Sequence, residues 1–208
     1  MKYREELIAR EFFYTTQAVR VASFFQKNSF DRIRISHGAA AQILIKKIID
    51  STTTEIRKSV ASFEDYQVVS EDSIDAMQNK VIYIGALLGK ANFSYGRFGW
   101  GTFVAFFHDK ICTAAAFYEP MFEEMFNASY NHGAFINRRR IKYSVEARSE
   151  YNVPCEFLVF LYSLMGRAKR NQFIFDNYWV ANAAKLFAKE AFIEFTGHDN
   201  MLNLSNTL

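Results

Sequence analysis

Residues 81–93 read VIYIGALLGKANF. The β-branched and aromatic opening, with polar sequence before it, predicts a short strand over residues 81–85. Gly89 interrupts the apolar run, and Asn92-Phe93 begins an aromatic stretch that reaches Trp100. Working outward, QVVS at residues 67–70 predicts a second short strand, with Ser70-Glu71-Asp72 at its end. Downstream, residues 102–108 and 111–118 flank Asp109-Lys110 at the spacing of a tight hairpin. Glu119-Pro120 marks the next turn, residues 122–129 a further strand, and Asn131-His132-Gly133 a turn before residues 134–136. The middle of the chain is therefore a β-meander.

Helical periodicity brackets it. Ile8, Phe12, Thr15, Ala18, Ala22 and Phe25 form a stripe over residues 4–27, with Asn28 as the stop. A second helix spans residues 39–62, with Ile43, Ile48, Thr52, Ile56 and Val60 near one face. Residues 155–170 and 176–192 are helical again, after a linker at 146–153. The fold class is α+β, with helices packed on an antiparallel sheet. The chain divides at residues 1–145 and 146–208.

Composition narrows the function classes. Of 208 residues half are apolar and 22 are Phe, which excludes a disordered chain and provides a sizeable core. No apolar run reaches bilayer length and MKYREELIAR has no signal-peptide core, so neither a membrane partner nor export is expected. Cys112 and Cys155 are isolated in sequence, as befits reduced thiols of a cytoplasmic protein. The net charge of +3 permits an anionic partner without requiring one.

Several fragments together resemble the inositol monophosphatase family. Phe63-Glu64-Asp65-Tyr66 is similar to its Phe-Pro-Asp-His turn, and Ser70-Glu71-Asp72 to its Gly-Glu-Glu. Residues 81–93 are similar to a strand ending in Asp-Pro-(Ile/Leu)-Asp-Gly-Thr followed by Asn-Phe. Gly133-Ala134-Phe135 and Asn137 match its Gly-Ala-Phe-x-Asn stretch. Leu164 to Arg167, Trp179 to Ala184, Glu190-Ala191 and Ser205-Asn206 extend the likeness in outline. The bacterial SuhB-type extragenic suppressors are the nearest branch. The resemblance implies a layered α-β-α-β-α sugar-phosphatase fold, here with a shortened C-terminal lobe.

It also implies an activity and its loss. Family members hydrolyse phosphate monoesters with Mg²⁺ held by carboxylates. By the same correspondence Glu71 keeps one carboxylate as a vestigial metal ligand, with Asp72 beside it. Three aspartate positions of the family fall on Gly85, Leu88 and Val180, and its threonine falls on Lys90. Losing several groups that act as a unit removes essentially all catalysis. No cofactor is expected, with Mg²⁺ required for any residual activity. The likeness further implies a homodimer, and by analogy an RNA or transcription-machinery partner.

Other readings of the same residues stand beside these. Ser70-Glu71-Asp72-Ser73 before Ile74 fits a capped helix start, and that reading outweighs metal binding. Gly89, Lys90 and Ala91 could cradle a phosphate at a helix N-terminus, with Lys90 equally a solvated amine. Arg138, Arg139, Arg140 and Lys142 form a basic run, more often a solvated face than a polyanion site. His37, His108, His132 and His198 are scattered and read as turn or packing residues. Phe103, Phe106, Phe107 and Phe117 read as sheet core. Three functions follow: a non-catalytic binding protein, a residual Mg²⁺-dependent phosphomonoesterase using Glu71, Asp72 and Asp75, or an anion binder at Gly89 and Lys90.

Overall fold

The computed structural model describes residues 2–70, 79–109 and 111–141. Helices α1 (Lys2–Arg34) and α2 (Gly38–Ser59) come first. The strands are β1 (Gln67–Ser70), β2 (Lys80–Leu88), β3 (Gly101–His108), β4 (Ile111–Glu119), β5 (Glu124–Ser129), β6 (Gly133–Ile136) and β7 (Arg139–Arg140). A short helix α3 (Lys90–Ser94) sits between β2 and β3. All seven strands form one sheet in sequence order. The expected antiparallel pairing holds from β2 to β7, whereas β1 runs parallel to β2. A parallel neighbour needs a crossover rather than a hairpin, and residues 71–79 supply the connection.

α1 has no Gly or Pro along its length, and its buried stripe includes Ile8, Ala18, Val19, Ala22, Phe30 and Ile33. The expected stop at Asn28 does not occur. Phe30 and Ile33 bury against Phe93 and Trp100, with ring centroids 5.6 and 5.0 Å from Phe30, and that packing outweighs the few tenths of a kcal/mol that Asn costs. Arg32 and Arg34 then complement the negative end of the helix dipole. α2 buries Ala41, Ile45, Ile48, Thr52 and Ile56; the expected face holds at Ile48, Thr52, Ile56 and Val60, whereas Ile43 points outward and is 71% exposed.

The first layer of core lies between helices and sheet. Ala18, Val19, Ala22 and Ile56 meet Ile82, Ile84, Val104, Phe106, Ala114 and Ala116 from alternate positions of β2, β3 and β4. Phe63 seals one end against Tyr66 and Phe106, at 5.5 and 4.8 Å between ring centroids. Tyr83, Phe103, Phe107, Phe117 and Phe126, on the intervening positions, are buried as well. Fully burying a side chain of this size contributes about 1.5–3 kcal/mol, so the four phenylalanines expected as core act as core. The expected second lobe, with the helices expected at 155–170 and 176–192, lies outside the described residues.

Candidate functional site

The stretch that decides the fold also shapes its most unusual corner. β2 continues three residues past the expected end at Gly85, through a bulge: Gly85 faces Phe103 and Leu88 faces Gly101. The Ala86 carbonyl there accepts hydrogen bonds from Gln26 Nε2 on α1 and from Thr102 Oγ1 at 3.4 Å. Ser23 Oγ donates to Thr102 Oγ1 at 3.1 Å. Three buried polar side chains thus fix the bulge against α1. Replacing Thr102 by Val keeps the shape and strands the Ser23 hydroxyl in an apolar setting. A loss of about 1–3 kcal/mol in urea-measured stability is expected.

Gly85 and Leu88, onto which the sequence resemblance places two aspartates, face the same space. A Cβ built on Gly85 would lie 2.9 Å from Leu88 Cδ2 and 3.3 Å from Phe103 Cβ. Leu88, only 2% exposed, fills the room a side chain at position 85 would need. Hard divalent cations require oxygen ligands, and neither residue supplies one from its side chain. Among the described residues, those at this strand end do not fit a metal.

Gly89 closes the strand with φ +74°, the left-handed region. An added Cβ would fall inside the contact radius of the Gly99 carbonyl oxygen. Asn92 Nδ2 donates to that same carbonyl at 3.2 Å, and Gly99 N donates to Glu119 Oε1 at 3.2 Å. The loop after α3 is thereby folded back onto Gly89, with Phe93 perpendicular to Trp100 at 4.7 Å. Lys90 and Ala91 follow Gly89 and are exposed, so the three candidate phosphate contacts stand together. α3 has only five residues, so few aligned peptide dipoles stand behind them.

The basic run lies elsewhere. Arg139 and Arg140 form β7, and Asn137 and Arg138 turn with φ of 47° and 69°. The side chain of Asn137 accepts from Met125 N at 2.8 Å and its N–H bonds Met125 O at 2.9 Å, which pins this hairpin to β5. Arg138, Arg139 and Arg140 are exposed, and none pairs with a described carboxylate. β7 is five strands from β2. At about 4.8 Å per strand, roughly 24 Å separates the arginines from the strand end. Glu71, Asp72, Asp75, Lys142 and Val180 lie outside the described residues.

A second polar cluster, at the opposite end of β2 and β3, has no counterpart among the expected site residues. Glu11, fully buried on α1, accepts from the Tyr66 hydroxyl through Oε1, and His108 Nε2 lies 2.9 Å from the same oxygen. Tyr66 also bonds His108 directly. Burial, then the Glu11 carboxylate, pushes the Tyr66 hydroxyl far above its ordinary range, and burial raises the Cys112 thiol. The signal in sequence was a glutamate in register with Thr15, Ala18 and Ala22.

Among the described residues no group of three or more His, Cys, Asp or Glu side chains could hold a metal ion, and no helix is long and apolar enough to cross a membrane. No protein-family model and no curated protein sequence matches the chain. Solved structures do match. An inositol monophosphatase from Anabaena (Nostoc) sp. PCC 7120 superposes with a TM-score of 0.55 at 16% identity, over 69% of this chain and 50% of that one. The extragenic suppressor protein SuhB of Bartonella henselae gives 0.53 at 19% identity, over 64% and 53%. The inositol monophosphatase of Thermotoga maritima gives 0.52 at 19%, over 64% and 54%. The fold is that of the inositol monophosphatases. The match spans about half the length of those structures.

Proposed function

We propose that this chain uses the inositol monophosphatase fold for binding and carries out no efficient metal-dependent hydrolysis. The packing of Leu88 into the space over Gly85 is the observation that supports this reading. An aspartate pair there would have to replace an apolar contact, and a lone carboxylate at Glu71 is too few hard ligands for Mg²⁺. The ligand class carried over from the resemblance is a phosphorylated polyol, held at Gly89, Lys90 and Ala91. A second copy of the chain, and a polyanion such as RNA on Arg138, Arg139, Arg140 and Lys142, are the proposed partners. The competing reading is a residual phosphomonoesterase using Glu71, Asp72 and Asp75.

A phosphate-release assay with inositol monophosphate, titrated with Mg²⁺, separates the two. Each lost transition-state stabiliser typically costs about 10²–10³ in rate, so turnover is expected to stay at the level of the metal-free control. Calorimetry on the same protein should show inositol monophosphate binding that is indifferent to Mg²⁺. Mg²⁺-dependent turnover would establish the phosphomonoesterase instead.

A further inference from the structure

Phe13, Phe24 and Ile35 recur along α1 and its closing turn every eleven residues, and are 57%, 64% and 79% exposed. Eleven residues at 3.6 per turn make three turns and about 20°, so the three side chains follow one line along the helix. Ile35 stays on that line because the closing turn keeps its curvature, with Ser36 N donating to Ile33 O at 3.0 Å. At about 100° per residue the line lies opposite Thr15, Ala22 and Ile33, which belong to the buried stripe. An exposed apolar residue on its own is ordinary. Two phenylalanines and an isoleucine in one line, with exposed Val21 beside them, form a contact face.

We infer that this face pairs with the same face of a second copy of the chain, the two helices running antiparallel across a two-fold axis at Phe24. The spacing is its own complement. With Phe24 opposite its counterpart, Phe13 meets Ile35 and Ile35 meets Phe13. The polar residues between them repeat at offsets of four and seven: Gln17 and Arg20 after Phe13, Asn28 and Asp31 after Phe24. Reversal sets Gln17 against Asp31 and Arg20 against Asn28. Arg20, one turn from Gln17, also reaches Asp31, so opposite charges meet twice in each dimer. Neither charge is committed within the chain. Arg20 forms no ion pair with a described carboxylate, and that of Asp31 is an exposed contact with Arg34 at 3.8 Å. A parallel copy would instead set arginine against arginine and aspartate against aspartate, with the helix dipoles side by side. A two-fold interface needs such a self-complementary patch on each subunit. The second copy proposed above thereby gains a surface, and the pairing rests on that reading.

Sedimentation of the full chain over a range of micromolar concentrations tests the pairing against Phe24→Glu. The wild type should associate, and two glutamates at the axis should raise the dissociation constant by at least about tenfold. Phe24 lies outside the buried stripe, so the helical circular dichroism of the variant should match that of the wild type. Cross-linking with a short bismaleimide, in a Cys155→Ser background, fixes the register. Phe24→Cys should link to itself. Phe13→Cys should not, since the two positions stand about 33 Å apart across the axis, but it should link to Ile35→Cys in a mixture. A dimer that survives Phe24→Glu, fails to link through Phe24→Cys, or links Phe13→Cys to itself overturns this surface and leaves the second-copy reading standing. A monomer at every concentration overturns both. If the thiol introduced at position 24 of that monomer is shielded from maleimide, the face belongs to another segment of the same chain.

Discussion

Gly89→Ala is expected to cost about 3 kcal/mol or more. Two penalties combine. An L-residue in the left-handed region costs roughly 1–2 kcal/mol, and Gly89 has φ +74°. The methyl would also collide with the Gly99 carbonyl, a backbone atom that cannot rotate away. Asn92 and Glu119 hold Gly99 from both sides, so retreat of the loop would break their hydrogen bonds. Gly38 provides the control, with φ +59° and nothing within 4 Å of a built Cβ. Gly38→Ala should show only the conformational penalty of about 1–2 kcal/mol. Urea midpoints measure both, and equal losses would mean that Gly99 does not press on Gly89.

The second large effect is a gain of metal binding in the paired substitution Gly85→Asp with Leu88→Asp. Gly85→Asp alone must push Leu88 aside and bury a charge beside Phe103, so it should destabilise strongly. With Leu88 gone, both carboxylates share the vacated space, repel one another, and are relieved by a cation. Melting of the double variant should therefore rise with Mg²⁺ concentration. A hundredfold excess over the dissociation constant corresponds to about 2.7 kcal/mol, or roughly 2–4 °C per kcal/mol in a chain of this size. Adding Val180→Asp should tighten binding if the family correspondence extends that far. Turnover need not return, because the sequence resemblance places Lys90, an amine, on the family's threonine position. No Mg²⁺-dependent shift in a folded double variant would refute the positional correspondence.

Much of the architecture was legible because strands and turns announce themselves locally. The hairpin at Asp109, the turn at Asn131-His132-Gly133 and the core phenylalanines of β3 and β4 follow from alternation and turn chemistry. The length of α1 was not legible, since Asn28 is a plausible stop until Phe30 meets Trp100 from β3's leading edge. Nor was the direction of β1, because parallel and antiparallel strands read alike. At the candidate site, the absence of carboxylates at positions 85 and 88 was visible as letters. Their mutual packing was not, because a bulge brings residues three apart onto one another. The Glu11 cluster was missed because its members are brought together over as many as 97 positions.

Those separations have a consequence for synthesis. Polar groups on the inner face of α1 find their partners far downstream: Gln26 at a separation of 60 residues, Ser23 at 79, Glu11 at 97 with His108, and Thr16 at 111 with Asn127. A ribosome adding about 5–20 residues per second leaves that face uncovered for several seconds. A purely apolar stripe exposed for so long would adhere to any neighbouring nascent chain. Interspersing it with Glu11, Thr15, Ser23 and Gln26 keeps it hydrated while the meander is being made. The residues that later fix the helix on the sheet thus also act as its solubilising groups in the waiting chain.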